Sequence, residues 1–294
     1  MTWDVVATIR APEPYVRRFI DCYRQLGAAR IHIFYDDPAF AYAFPGDDLA
    51  LTLCDEGYWA GDRPRAIEMR QTHNATRAAA QSTAEWLIHC DVDEHLHAPR
   101  PVAEILAEAP ASCACLVALP YEAIYAARPA SVAEIFATPW FKSTAAGWGA
   151  ASEFWAGVYG DLHQFSAAGF WGHRVGKSFI RLSGLPEGHP MPIHMPSGEA
   201  FRSMGTAKSK ELRLLHFDAL LPADWLQKHG DRATRKVRTK WLGEKRKLFA
   251  QYVHETFTAG GQRAVLALYD RLFVVPGPML EEGLAKGVVA RVGG

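Results

Sequence analysis

The chain has 294 residues, 49% of them hydrophobic and 22% charged, which is the balance of a globular protein with apolar side chains enough for a sizeable core. Its 32 Lys/Arg match 32 Asp/Glu, so no global charge argues for nucleic acid as a partner. Five cysteines without a C-x-x-C pair exclude a disulfide framework and a zinc cage, and no window reaches the ~18 uninterrupted apolar residues of a membrane span.

The N-terminus carries Asp4 and only a short apolar run at 5–9, unlike a signal peptide, so the expected location is the cytoplasm. Val5-Val6-Ala7-Thr8-Ile9 reads as a buried strand. Tyr15, Phe19, Tyr23 and Leu26 then recur at helical spacing, with Gly27 placed to end the helix in a left-handed conformation. Ile31-His32-Ile33-Phe34-Tyr35 is a second strand closing in Asp36-Asp37-Pro38, and a β-α-β unit of this kind makes the two strands parallel neighbours.

Residues 50–54 form a third strand ending at Asp55, and 64–83 an Ala-rich helix with polar positions at Arg70, Gln71 and Asn74. Next comes the most informative stretch, Trp86-Leu87-Ile88-His89-Cys90-Asp91-Val92-Asp93-Glu94. An apolar run, as expected of a strand buried on both faces, ends in three carboxylates within four residues. Open α/β sheets bind ligands outside the carboxyl ends of such strands, and paired carboxylates there suit a hard cation that bridges to phosphates. A short helix from Pro101 and a fifth strand at 115–119 complete the alternation.

From 121 to 172 the chain is rich in Trp, Phe, Gly and Ala with weak periodicity; it reads equally as a substrate-binding wall or as packing. Gly172-His173-Arg174-Val175-Gly176-Lys177-Ser178 imitates a phosphate loop but has three residues between the glycines where four are required, and a strand follows it, so the nucleotide-triphosphatase reading is excluded. Lys177 remains a single point charge able to meet a phosphate. Residues 212–218 give another short strand, and the rest is helical. Across 202–247 there are 13 Lys/Arg against 5 Asp/Glu, a run suited to a solvated helix face, a polyanionic substrate, an anionic membrane surface or nucleic acid.

Together these motifs resemble the family-2-like glycosyltransferases with the GT-A fold, in the branch whose metal motif reads D-x-D-E. The likeness rests on the order strand, helix ending in Leu-Gly, strand ending in acids, Arg-Gln-bearing helix and Trp-x-x-x-x-Asp-Val-Asp-Glu. It continues in Gly176-Lys177-Ser178-x-x-Arg181, Ile193-His194 and Leu214-Leu215-His216-Phe217, and covers most of 3–230. It departs from the family at Arg10-Ala11-Pro12-Glu13 and Asp37-Pro38-Ala39-Phe40, where Asn-Glu and Ser-x-Asp-Gly are usual.

The resemblance implies a GT-A-like α/β fold: an open, mostly parallel sheet flanked by helices, with a helical C-terminal region. It implies a catalytic domain over 1–220 with a helical extension, 221–294, packed on it. It further implies a divalent-metal-dependent glycosyltransferase using Mn²⁺ or Mg²⁺ and a nucleotide-diphosphate sugar, inverting, with a glycan or lipid-linked acceptor of the kind met in polysaccharide biosynthesis. Asp93 would be a direct metal ligand, Asp91 would meet the ribose or join the metal shell, and His216 would complete that shell. Thr8, Arg10, Arg70 and Gln71 would line the nucleotide pocket, with Asp36 or Asp37 near the base and Lys177 sharing phosphate charge. If the reaction inverts, a carboxylate must deprotonate the acceptor, and Glu153, Asp161 and Asp218 are the candidates. A peripheral membrane contact through the basic C-terminal region is a further expectation. Two rival readings are a nucleotidyltransferase acting on a sugar phosphate and a non-catalytic interaction protein.

Overall fold

A computed structural model describes residues 1–234 and 243–293. In chain order the strands and helices are β1 (Trp3–Ile9), α1 (Glu13–Gln25), β2 (Arg30–Tyr35), β3 (Leu49–Leu53), α2 (Glu56–Trp59), α3 (Ile67–Gln81), β4 (Trp86–His89), β5 (Glu94–His97), α4 (Val102–Ala107) and β6 (Cys113–Ala123). There follow α5 (Val132–Ala137), β7 (Trp140–Lys142), α6 (Trp148–Tyr159), β8 (Lys177–Arg181), β9 (Gly205–His216), α7 (Pro222–Ala233), α8 (Glu244–Phe273), α9 (Gly277–Ala285) and β10 (Val289–Arg291). The chain divides into two compact units, 1–119 with 175–214, and 120–174 with 215–294.

The first unit is an α/β sheet in the order β6-β8-β4-β1-β2-β3 with flanking helices. Its β-α-β expectation holds: β1 pairs parallel with β2 and with β4, and β2 pairs parallel with β3. The other edge is antiparallel, β8 to β4 and β6 to β8, so the sheet is mixed. β1 is buried along its whole length, as a strand covered on both faces must be. α1 starts with prolines at its first turn, where a missing N–H costs nothing, and buries Tyr15, Val16, Phe19, Ile20 and Tyr23 along one stripe. Gly27 has φ +82 and closes that helix, as its position predicts. On the opposite side Ala75 and Ala78 of α3 pack with Val6, Phe34, Leu87 and Ile180; small side chains let the helix lie close to the sheet.

Several elements differ from expectation: the short strand expected at 212–218 is the 12-residue β9, which starts at Gly205 and ends at His216, and β10 is a strand within the stretch expected to be helical. The fifth strand is longer than 115–119, and the acidic stretch turns straight into β5, a strand of Glu-His-Leu-His that pairs with β9. Its polar composition hid it.

The second unit gives regular structure to part of the aromatic-rich 121–172 stretch: α5, β7 and α6. β7 pairs antiparallel with β10 and with the end of β6, in the register Glu122 to Lys142. α7 and the long α8 carry a core of aromatic rings, with Trp225 edge-on to Tyr269 and Phe273 at centroid distances of 5.8 and 5.7 Å. α8 is broken at Gly261, whose φ of +62 and ψ of −157 lie outside the helical region. Of the basic run 202–247, residues 235–242 lie outside the described residues. No described helix is long and apolar enough to cross a membrane.

Candidate functional site

In the first unit the parallel strands β1, β2 and β4 end at one edge, and α3 supplies the polar side chains that meet those ends. Residues 90–93 form a tight turn from β4 into β5, closed by Glu94 N–H to Asp91 O and Asp91 N–H to Glu94 Oε2, both 2.9 Å. Asp91 is then held from two sides: Gln71 Nε2 donates to its Oδ1 at 2.6 Å and Lys177 Nζ to its Oδ2 at 3.0 Å. Lys177 Nζ also lies 3.3 Å from Glu94 Oε2 and 3.3 Å from His89 Nδ1. An ammonium can only donate, so His89 Nδ1 must be the bare nitrogen and its proton sits on Nε2, which has no hydrogen-bond partner.

Charge follows this geometry. Burial opposes ionisation of Lys177, but Asp91 and Glu94 outweigh it and hold the ammonium above its ordinary pKa. Burial likewise works against the Asp91 carboxylate, and Lys177 reverses it, so Asp91 titrates below the usual range. His89 is pushed down to about 3 by burial and by Lys177, and is neutral. Asp93, one step along the turn, is a buried acid.

The other expected donor-binding residues divide into three local groups. Asp36, buried at the end of β2, is gripped by Arg70 through Nε and Nη2, each 2.7 Å, and by Arg63 Nη2 at 3.0 Å. Arg10 Nε meets Asp37 Oδ2 at 3.2 Å in a more exposed pair. Thr8 Oγ1 accepts from Asn74 Nδ2 at 2.9 Å, and Asn74 Oδ1 accepts from Tyr58 at 2.6 Å. Sequence reasoning missed Asn74, Arg63, Glu94 and His89 as members of this edge. For Asn74 the signal was present: it follows Arg70 by four residues and so lies on the same helix face.

In the second unit His216 ends β9. Its Nδ1 lies 3.9 Å from Glu122 Oε2 and its Nε2 3.9 Å from Asp218 Oδ1, and His173 stacks on its ring at 5.8 Å. Glu122 is locked by Lys142 Nζ at 2.6 Å and by the Trp171 and Gly172 N–H groups at 3.0 and 2.6 Å. Gly172 has no alternative: a Cβ there would fall 2.5 Å from the His216 ring and 2.9 Å from Glu122 Oε2. Lys142 is fully buried, with the Trp155, Tyr159 and Trp171 rings at 5.1–5.3 Å from its ammonium.

Asp218 is buried and accepts from Lys228 Nζ at 2.8 Å. Burial would raise its pKa, but Lys228, with His216 and Arg232, holds the carboxyl well below the usual range. An imidazole nitrogen and a carboxylate oxygen spaced wider than a hydrogen bond are a donor pair that fits a divalent transition ion such as Mn²⁺. Of the remaining base candidates, Glu153 lies on the exposed side of α6, and Asp161 is exposed and paired with Arg271 at 2.5 Å.

No protein-family model and no curated protein matches the chain. Among solved structures, TarS 1–349 of S. aureus is 13% identical at a TM-score of 0.37, covering 98% of this chain and 88% of that one. Glucosyl-3-phosphoglycerate synthase from Mycobacterium tuberculosis, in complex with Mn²⁺, UDP and glucosyl-3-phosphoglycerate, is 12% identical at 0.37, with 82% of each chain covered. HddC from Yersinia pseudotuberculosis is 9% identical at 0.35, covering 77% of this chain and 97% of that one. Likeness this distant assigns no activity.

Proposed function

We propose that the chain is a divalent-metal-dependent glycosyltransferase that takes a sugar from a nucleotide-diphosphate donor. The observation that supports it best is the acidic turn after β4, where Asp91 is fixed by Gln71 and Lys177 at the carboxyl ends of parallel strands. Residues 1–220 would hold the donor, with 221–294 as the helical extension.

In this reading Thr8, Arg10, Asp36, Asp37, Arg70 and Gln71 receive the nucleoside. The Asp36–Arg70 fork matters because it holds a guanidinium rigid at the edge of the sheet. Asp91, kept anionic by Lys177, is oriented to accept from a ribose hydroxyl or to join the metal shell. Asp93 is the proposed metal ligand of the first unit and His216, with Asp218 beside it, that of the second. When bound, Mn²⁺ or Mg²⁺ supplies positive charge against the leaving diphosphate. If the sugar is inverted, one of Glu153, Asp161 and Asp218 takes the acceptor proton; Lys228 holds the Asp218 carboxyl well below the usual range, which weakens it as a base. The acceptor is a glycan or a lipid-linked saccharide.

Calorimetry with Mn²⁺ and product analysis test the reading. Asp93→Ala and His216→Ala should each weaken Mn²⁺ binding and remove metal-dependent donor cleavage while leaving the circular dichroism spectrum unchanged. Undiminished turnover in Asp93→Ala with the preferred donor defeats the proposal. Release of pyrophosphate instead of a nucleoside diphosphate would replace it with the nucleotidyltransferase reading.

A further inference from the structure

Among the described residues of the second unit, α7 and the first turn of α8 bring together two guanidinium groups that no described acid pairs with. Lys228, His229 and Arg232 lie on consecutive turns of α7, and Arg246 comes from the first turn of α8. Lys228 is matched to Asp218 at 2.8 Å. No hydrogen bond or ion pair joins the guanidinium of Arg232 or of Arg246 to a described residue. The charges facing Arg246 are Asp218, Arg232 and Glu122, and Glu122 is already committed to Lys142. Asp231, the buried acid of α7, accepts from Gln227 Nε2 at 2.6 Å.

Three cations, Lys228, Arg232 and Arg246, thus face the single carboxylate of Asp218. Burial, with Arg232 beside it, works against the charge on Arg246. Withdrawing guanidinium groups from water next to one another is costly unless an anion meets them.

A second observation points the same way. His229 is 2% exposed, and neither ring nitrogen has a hydrogen-bond partner among the described residues. Its ring is wedged against Trp225 and Phe249, at centroid distances of 4.7 and 5.1 Å, and its charged neighbours are Arg232, Asp218, Lys228 and Arg246. Burial and Arg232 keep it neutral, so one ring nitrogen carries a proton with nothing to receive it. The first turn of α8 has no side-chain cap, although the Arg246 and Lys247 N–H groups already donate to Gly243 O.

We propose that Lys228, His229, Arg232 and Arg246 form a binding site for a phosphoryl oxyanion. Two guanidinium forks match the spacing of phosphate oxygens, the ammonium adds a point charge, and the imidazole N–H gives a directional donor. The proposal does not rest on the transferase reading, because it needs neither the metal nor the sugar. The phosphoryl group can come from a nucleoside diphosphate or from a phosphomonoester, and the two are separable by titration.

The test is calorimetry on the full chain in EDTA with three probes: inorganic pyrophosphate, uridine diphosphate and glycerol 3-phosphate. Saturable binding of at least one probe is expected, weakened about tenfold or more in Arg232→Gln and in Arg246→Gln and weakening steeply with salt. Binding of glycerol 3-phosphate assigns the site to a phosphomonoester; binding of pyrophosphate and uridine diphosphate alone assigns it to a diphosphate. Thermal melts guard against a folding artefact. Arg246→Gln should melt higher than the parent without anion, because a repulsion is removed, and should lose the rise in melting temperature that the bound probe gives the parent. No saturable heat in the parent with any probe, or unchanged affinity in the Arg232→Gln/Arg246→Gln double variant, overturns the proposal. Loss of sugar transfer in Asp93→Ala with phosphate binding intact would leave this site standing.

Discussion

Among the described residues each unit buries one lysine completely, and the two are treated in opposite ways. Lys177 faces two carboxylates, Asp91 and Glu94, at 3.0 and 3.3 Å, and its pKa is raised. Lys142 meets one, Glu122, at 2.6 Å, donates to the Gly169 carbonyl at 2.6 Å and is ringed by three aromatic side chains, and burial leaves its pKa lowered. Both bring a cation out of water, and the number of acids around it decides whether the charge is reinforced or merely tolerated. Lys177 sits beside a turn that carries Asp91 and Asp93; Lys142 sits in a closed aromatic box. The first arrangement keeps a carboxylate ionised where a ligand can reach it. The second holds Glu122 still.

The largest effect expected from this contrast belongs to the closed box. Lys142→Ala strands a buried carboxylate, and denaturant unfolding should show a loss of about 3–5 kcal/mol. The neutral pair Glu122→Gln with Lys142→Met should recover only part of it, because the two carboxylate oxygens now accept separately from the Trp171 and Gly172 N–H groups and a carboxamide offers one oxygen. A cost under ~1 kcal/mol for Lys142→Ala would mean that the box is not closed.

Next in size is Lys177→Met. The Asp91 side chain is 33% exposed, so water can screen part of the repulsion left with Glu94. The expected loss is about 2 kcal/mol, smaller than that at Lys142. A larger loss than Lys142→Ala would reverse the comparison.

The smallest effect is a pH dependence. His229 has a folded pKa well below its ordinary value, because of burial and then Arg232, so the unfolded chain takes up a proton that the folded chain refuses. Its contribution is fully present above about pH 6.5 and is lost as pH falls towards the folded pKa, a slope of up to about 1.4 kcal/mol per pH unit. Unfolding curves for the parent and His229→Phe should therefore converge in slope above pH 7. At pH 5.5 the parent should have lost about 1 kcal/mol more than the variant. Parallel curves down to pH 5 would show that the imidazole is protonated in the folded state.

The parallel part of the first unit was legible because each strand is a local apolar run, each helix a local stripe, and Gly27 marks an end by its own backbone freedom. β5 was not legible. Glu94 is buried there, and what permits it is the ammonium of Lys177, 83 residues later in the chain. The 121–172 stretch was ambiguous for a related reason. Glu122 and Lys142 each interrupt an apolar run, and only the register of β6 with β7 shows that they answer one another. Two lone charges inside hydrophobic segments were the available signal. Of the expected site residues, Gln71, Asp91 and Lys177 come together, as do Arg70 and Asp36; Asn74 and Arg63 complete these groups only in three dimensions.

Gly172 gives the second unit a fingerprint that can be read without any ligand. In a library that varies each position from 170 to 174, every survivor should keep hydrogen at that one α-carbon, since even a methyl group would drive the His216 imidazole and the Glu122 carboxylate out of place. Selection for fold alone would relent if a shrunken residue at 216 made room. Selection for chemistry that needs the imidazole would not, and the gap between the two survivor lists measures what His216 is for.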